Sequence, residues 1–267
     1  MKRSNLDLLL CPACRSHLDF WGGSGERVAS GMLACPECHV TYPIVEGVPQ
    51  LLAPATLTGF NRRFAAMYDW FSWFYPAFST IAFALIGMRE SDGRRQVTDR
   101  LAPHGKQVLE VSVGPGGNLP YLLNRQDVGG VIGMDISPGQ IRHCQRLIRK
   151  RGWDVDLVLG NAEQLPFMDD SFGGILHLGG INFFNDKQAA IREMIRVAMP
   201  GSRIVIVDEN EKGARWYEHV IPGFKGSFQQ GREMVSAPLD LVPPEMHDIS
   251  LSNIWKGWFY CLEFQKP

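Results

Sequence analysis

The chain has 267 residues, long for one small domain and short for two ordinary ones, so one main domain with an appendage is expected. Its 27 Lys and Arg balance 28 Asp and Glu, with 45% hydrophobic and 21% charged residues. These values exclude a disordered or collagen-like chain and leave no global positive field to draw nucleic-acid phosphates.

Met1-Lys2-Arg3 followed by Leu6 to Leu10 has the outline of a signal start, but Asp7 interrupts an apolar run already too short for one. The chain therefore reads as unprocessed and cytoplasmic. Cys11-Pro12-Ala13-Cys14 and Cys35-Pro36-Glu37-Cys38 follow, with 20 residues between the pairs. A two-residue gap lets two thiolates converge from one tight turn, and two such turns complete a tetrahedral zinc site. With Cys11, Cys14, Cys35 and Cys38 filling all four positions, the zinc is structural and contributes folding energy to a piece too small for its own core. A pair of disulfides competes with this reading but needs an oxidising compartment. His17 and His39 are expected to be bystanders. Trp21 to Gly25 reads as a turn and Val40 to Ile44 as a short strand, within a zinc ribbon over residues 1–58.

The segment from Leu8 through both Cys pairs to Tyr42-Pro43-Ile44-Val45-Glu46-Gly47-Val48-Pro49-Gln50-Leu51-Leu52 resembles the small zinc-binding activator subunits of RNA and protein methyltransferases, here fused in cis. Residues 1 to 59 hold four basic and five acidic side chains, so the ribbon is not a basic arm.

Trp70 to Met88 is 19 residues without a charge, which touches the length of a membrane span. Pro76, seven aromatic side chains and three Ser or Thr hydroxyls argue against a lone span. The remaining readings are a helix pair packed on the main domain, or a lid lined by Trp70, Phe74, Tyr75 and Phe78 over a greasy pocket. Such a lid could also rest on a membrane surface. This aromatic-rich cap occupies residues 59–104.

From about residue 105, apolar runs alternate with helical stretches, the pattern of a mainly parallel α/β sheet. Strands are expected at Gln107–Val113, Val128–Asp135, Asp156–Gly160, Ile175–Leu178 and Arg203–Val207, with helices over Pro138–Arg151 and Lys187–Ala198. Ser250–Trp255 and Trp258–Phe264 read as a closing hairpin. Gly114-Pro115-Gly116-Gly117-Asn118 after the first strand permits close backbone approach by a ligand, and Asp135 at the end of the second can accept ribose hydroxyls. The Lys of a Gly-x-x-x-x-Gly-Lys-Ser/Thr phosphate loop is missing, which disfavours an NTPase. Residues 209–246 are expected to hold a helix near Trp216-Tyr217. Cys144 and Cys261 read as core.

Val108 to Tyr121, Gly133-Met134-Asp135-Ile136-Ser137, Asn161 to Phe172 and Arg196 to Gly201 resemble, in that order, the motifs of class I S-adenosylmethionine-dependent methyltransferases. Tyr68-Asp69 and the aromatic stretch resemble the cap of their quinone-type and phospholipid-type members. The resemblance implies a Rossmann-like seven-stranded methyltransferase sheet over residues 105–267. It also implies that Glu110 lies near the methionine ammonium end, that Gly114 and Gly116 line the loop against the cofactor, that Ser112 and Asn118 contact the cofactor, and that Asp135 holds the ribose hydroxyls. Ile136, Asn161, Ala162 and Glu163 would surround the adenine. His177 stands at the end of the fourth strand, beside both cofactor and acceptor, as the candidate base; Asn182 would orient the acceptor and Tyr68 contact either substrate.

Three departures stand out. Ser112 replaces the first motif glycine, Gly173 replaces an acid, and Ile181-Asn182-Phe183-Phe184 replaces a Leu-His-His. The implied activity is methyl transfer to a small or lipophilic acceptor. Two alternatives remain. One is an RNA-base methyltransferase docking through the ribbon and the cluster Arg142, Arg146, Arg149, Lys150 and Arg151, which reads more simply as a solvated helix face. The other is a cofactor-binding regulator without turnover.

Overall fold

The computed structural model describes residues 1–52, 59, 75–85, 87–220 and 235–267. Its strands are β1 Asp19–Gly22, β2 Gly31–Ala34, β3 Thr41–Val45, β4 Val48–Leu51, β5 Gln107–Val111, β6 Gly130–Asp135, β7 Val155–Gly160, β8 Phe172–Leu178, β9 Ala198–Glu209, β10 His247–Ile254 and β11 Phe259–Gln265. The α-helices among the described residues are α1 Arg3–Leu6, α2 Tyr75–Leu85, α3 Glu90–Thr98, α4 Leu119–Leu123, α5 Pro138–Arg151, α6 Lys187–Val197 and α7 Glu211–Val220.

The eleven strands among the described residues join one sheet, in the order β1-β2-β3-β4-β7-β6-β5-β8-β9-β11-β10. From β7 to β9 neighbours run parallel, and β11 lies antiparallel between β9 and β10. This stretch is the expected seven-stranded sheet. Val108, Leu109, Val111, Val131, Ile132 and Met134 are buried because helices cover both faces, which explains their nearly unbroken apolar runs. The chain winds outward in both directions from the junction of β5 with β8, so the carboxyl edge there is the topological switch point where α/β sheets hold ligands.

The additional four strands are the ribbon. Gln50 and Leu51 of β4 pair in parallel with Leu159 and Gly160 of β7, so the ribbon extends the main sheet instead of hanging from it. Leu9, Leu33, Tyr42, Ile44 and Leu51 share one buried cluster with Phe167, Phe172 and Ile175 of the main domain. A fifty-residue piece buries too little apolar surface alone, and borrowing a neighbour's core supplies the difference.

Polar contacts lock this seam. Asp156 of β7, with its side chain 2% exposed, accepts from Lys2 N at 2.9 Å, Asn5 Nδ2 at 2.7 Å and Arg27 Nη2 at 3.0 Å. On the neighbouring helix, Arg149 pairs with Glu46 at 2.8 Å and Gln145 donates to the Glu46 carbonyl. One member of the basic cluster on α5 thus serves to hold the ribbon.

Several expectations need adjustment. Trp21 lies inside β1, so the turn starts beyond Gly22, and the fifth core strand spans twelve residues. The helix near Trp216 is α7. Of the apolar stretch, Tyr75–Leu85 is helical and Phe83 packs edge-on against Trp255, with ring centroids 4.8 Å apart. Trp70 and Phe74 lie outside the described residues. No helix among the described residues is long and apolar enough to cross a membrane. Gly173 has no room for the acid its position usually carries: a Cβ there would stand 2.3 Å from Lys106 Cβ and 2.8 Å from the Pro103 carbonyl.

Replacing Asp156 by Ala leaves three donors at the seam without their acceptor. The expected cost is about 2–4 kcal/mol, read as a lower urea midpoint; an unchanged midpoint would show that the seam carries no stability.

Candidate functional site

Immediately after β5 the chain enters a loop in which Ser112, Gly114 and Gly116 take positive φ values of 60°, 55° and 88°. Gly116 is doubly constrained, because a Cβ would also stand 2.9 Å from Leu119 Cδ1 and 3.0 Å from Cys144 Sγ. Ser112 adopts the left-handed conformation that glycine occupies without strain, so the departure seen in the sequence is a strained residue at the head of the loop. Asp135, ending β6 and 7% exposed, accepts from Gly114 N at 2.8 Å and Ser137 N at 2.9 Å. Loop and acid are thereby fixed to each other, and Ile136 beside them is half-buried.

Behind the loop lies a buried chain of polar groups. Asn118 donates through Nδ2 to Glu110 Oε1 at 2.7 Å, and Arg94 of α3 donates through Nη1 to Asn118 Oδ1 at 2.7 Å. Burial pushes the Glu110 carboxyl up to about 7, against the pull of the Asn118 hydrogen bond and the Arg94 charge. Arg94 escaped the sequence reading, because an Arg four residues after Glu90 on a polar helix looks like a surface ion pair. The missing side chain at Gly117 admits it, since a Cβ there would lie 2.6 Å from Arg94 Cζ.

At the end of β7, Asn161 Oδ1 accepts from Glu163 N at 3.0 Å and shapes a tight turn through buried Ala162. Glu163 reaches the start of α6, where its Oε1 accepts from Asn185 N at 2.7 Å and Asp186 N at 3.1 Å, so it braces two loops.

His177 is fully buried, with Nδ1 3.2 Å from the Val111 carbonyl. A carbonyl only accepts, so Nδ1 carries the proton. Burial holds the ring's pKa down at about 4 despite the opposing charge of Asp208, which leaves Nε2 unprotonated at neutral pH. Asn182 donates its backbone N–H to Asp208 Oδ2 at 2.9 Å and its side-chain amide to the Glu209 carbonyl at 3.0 Å. Buried Asp208, with Tyr260 opposite it on β11, is a further group that the sequence reading missed; at the end of an apolar strand it carried no spacing signal. Tyr68 lies outside the described residues.

The two Cys turns are built alike. Cys11 N donates to the Ser16 carbonyl and Arg15 N to the Cys11 carbonyl, with Arg15 at φ 64°; Cys35, Val40 and His39, at φ 61°, repeat the arrangement. His39 therefore shapes a turn. The four Sγ atoms lie within 4.8 Å of one another, with Cys11–Cys38 at 3.6 Å and Cys14–Cys35 at 3.4 Å. Four thiolates at about 2.3 Å from zinc would stand about 3.8 Å apart, so the cluster fits a tetrahedral ion.

Residues 109–206 match the model described as a methyltransferase domain, and residues 2–47 match that of Trm112p-like proteins. The two matches fall on the main sheet and on the ribbon respectively. The chain is similar to the phthiotriol/phenolphthiotriol dimycocerosates methyltransferase of Mycobacterium tuberculosis, 35% identical over 114 residues that make up 42% of each chain. It is also similar to the demethylmenaquinone methyltransferase of Renibacterium salmoninarum, 35% identical over 118 residues, 43% of this chain and 46% of that one. The chain thus spans less than half the length of these curated relatives. Among solved structures, it resembles a chain of the complex between the Haloferax volcanii Trm112 methyltransferase activator and a methyltransferase. The TM-score is 0.54 and the identity 15%, covering 75% of this chain and 97% of that one; the likeness concerns the fold.

Two outcomes are expected here. Metal analysis of the purified chain should find one zinc per molecule, and Cys14→Ser or strong chelation should remove it and lower the melting temperature; retained metal in the variant would refute the ligand set. Ser112→Gly relieves left-handed strain of about 1–2 kcal/mol, offset by about 0.5–1 kcal/mol of added unfolded-state freedom, so stability should rise slightly in denaturant titration.

Proposed function

We propose that the chain transfers a methyl group from S-adenosylmethionine to a small or lipophilic acceptor. The observation that carries this reading is the clamp of Gly114 on Asp135 at the switch point, where an adenosyl ligand would rest between the loop and the acid. The surroundings fit such a ligand. Glu110 Oε2 is buried without a hydrogen-bond partner among the described residues, as a carboxylate awaiting a cation would be. A Cβ at Gly179, after β8, would meet nothing within 4 Å among the described residues.

In this reading Asp135 holds the ribose hydroxyls, Glu110 and Asn118 the amino-acid end, and Ser112, Gly114 and Gly116 the path between. Ile136 and Ala162 cover the adenine, while Asn161 and Glu163 fix the turn that presents it. S-adenosylmethionine supplies a methyl group already activated by its sulfonium charge. The chain's own work is alignment and exclusion of water. His177 Nε2, without a partner among the described residues, accepts a hydrogen bond from cofactor or acceptor, since a ring held near 4 is a weak base. Asn182 sets the acceptor side through its ties to Asp208 and the Glu209 carbonyl, and Tyr68 would contact either substrate.

The similarity to lipid and quinone methyltransferases supports a greasy acceptor. Exposed Ile81 and Leu85 on α2 suit peripheral contact with a membrane from the cytoplasm. Zinc serves the ribbon, whose seam with β7 buttresses the cofactor-binding sheet. The three proposed units are the ribbon at 1–58, the cap at 59–104 and the methyltransferase domain at 105–267.

Calorimetry on the intact chain tests the reading. S-adenosylhomocysteine should bind, and Asp135→Ala should weaken it at least about tenfold through the lost ribose hydrogen bonds to a charged group. Absence of heat with the wild-type chain overturns the proposal. Methyl incorporation from labelled donor should follow the lipid fraction of cell extract with little salt dependence; incorporation into RNA that falls steeply with salt would favour the nucleic-acid alternative.

A further inference from the structure

Arg94 is a cation with only 7% of its surface exposed, placed by α3 behind the glycine loop. Glu90, four residues earlier, accepts from its Nε at 2.8 Å. Its Nη1 reaches Asn118 Oδ1, whose amide then reaches Glu110 Oε1, so three hydrogen bonds connect four side chains in series. An amide has one accepting and one donating end. Arg94 occupies the accepting end of Asn118, which forces the donating end onto Glu110 and fixes which way the amide faces.

We propose that Arg94 is a positioning residue for the amino-acid end of the methyl donor: through Asn118 it holds the Glu110 carboxyl group in place to meet the donor's ammonium. The inference rests on the donor site proposed above and extends it to a residue that touches neither substrate nor reacting atoms.

The groups facing Glu110 define the electrostatics. Arg94 from α3 and the Asn118 amide favour its charged form, Asp135 from the end of β6 disfavours it, and Cys144 from α5 lies within range as a buried neutral thiol. With the Glu110 carboxyl at about 7, roughly half the ligand-free molecules carry its proton at pH 7. An arriving ammonium favours the carboxylate, so the proton leaves to solvent as the ion pair forms. Below pH 7 more of that proton must be removed and affinity falls; toward pH 8 the ligand's own α-amino group begins to lose its charge. Affinity should therefore climb between pH 5.5 and 7.5.

The test uses the full-length zinc-loaded chain and two probes, S-adenosylhomocysteine and 5′-methylthioadenosine, which shares the nucleoside but has no ammonium. Calorimetry in buffers of different ionisation enthalpy should show release of about half a proton per S-adenosylhomocysteine bound to wild type at pH 7, and none with methylthioadenosine. Arg94→Met should weaken S-adenosylhomocysteine about tenfold at pH 7, move the rise of affinity to higher pH, and leave methylthioadenosine unaffected. Arg94→Lys, which keeps the charge and one donor, should recover most of the loss.

Should Arg94→Met fail to fold, proton release by wild type and the Arg94→Lys pH profile carry the test. Both probes binding wild type, with no proton released and a flat pH profile, would overturn the relay and leave the donor site standing. Equal weakening of both probes by Arg94→Met would assign Arg94 a purely structural role and overturn it as well. If neither probe binds wild type, the donor site falls and this inference falls with it.

Discussion

The backbone N–H of Gly114 donating to the Asp135 carboxylate is the contact on which the rest of the site depends. It joins the ends of two neighbouring parallel strands, and it can form only because the chain leaves β5 through left-handed residues. Those conformations turn N–H groups toward the strand ends instead of continuing the ladder. Where glycine takes them the cost is small; at Ser112 it is borne as strain, which packing on either side must offset.

The ribbon's relation to this site is mechanical. Its fourth strand pairs with β7, and β7 in turn flanks β6, whose end carries Asp135. Edge strands with unpaired backbone groups are liable to associate with other chains, and β4 covers this one in cis. The buried Asp156 contacts and the shared apolar core make ribbon and sheet one packed body, which ties the folding energy a bound metal would supply to the edge of the main sheet.

The polar groups at the carboxyl edge divide by charge. Around Glu110 a buried arginine and an amide offset an acid that burial would otherwise neutralise. Around His177 the imidazole is kept neutral, with Asp208 nearby but too weak an influence to protonate it. The Glu110 side thus suits a cation and the His177 side a neutral hydrogen-bond donor, as the proposed sulfonium amino acid and uncharged acceptor would require.

Much of this was legible in the residue order because it is encoded locally. Ser137 caps α5, Pro138 starts it and Gly152 at φ 65° ends it, all within sixteen residues of chain. The paired Cys turns and the glycine loop followed by Asp135 are likewise short-range patterns whose chemistry is set by spacing. The sequence determined the ribbon, the seven strands of the main sheet and the loop with its acid, while their order in the sheet came from the structure. Only the tertiary structure decided that β4 would dock on β7, that Arg94 would be buried against Asn118, that Asp208 would face His177 and that Gly173 must lack a side chain. Those contacts join residues far apart in the chain, and whether a charge is solvated or enclosed depends on which elements pack over it, which periodicity and spacing do not record.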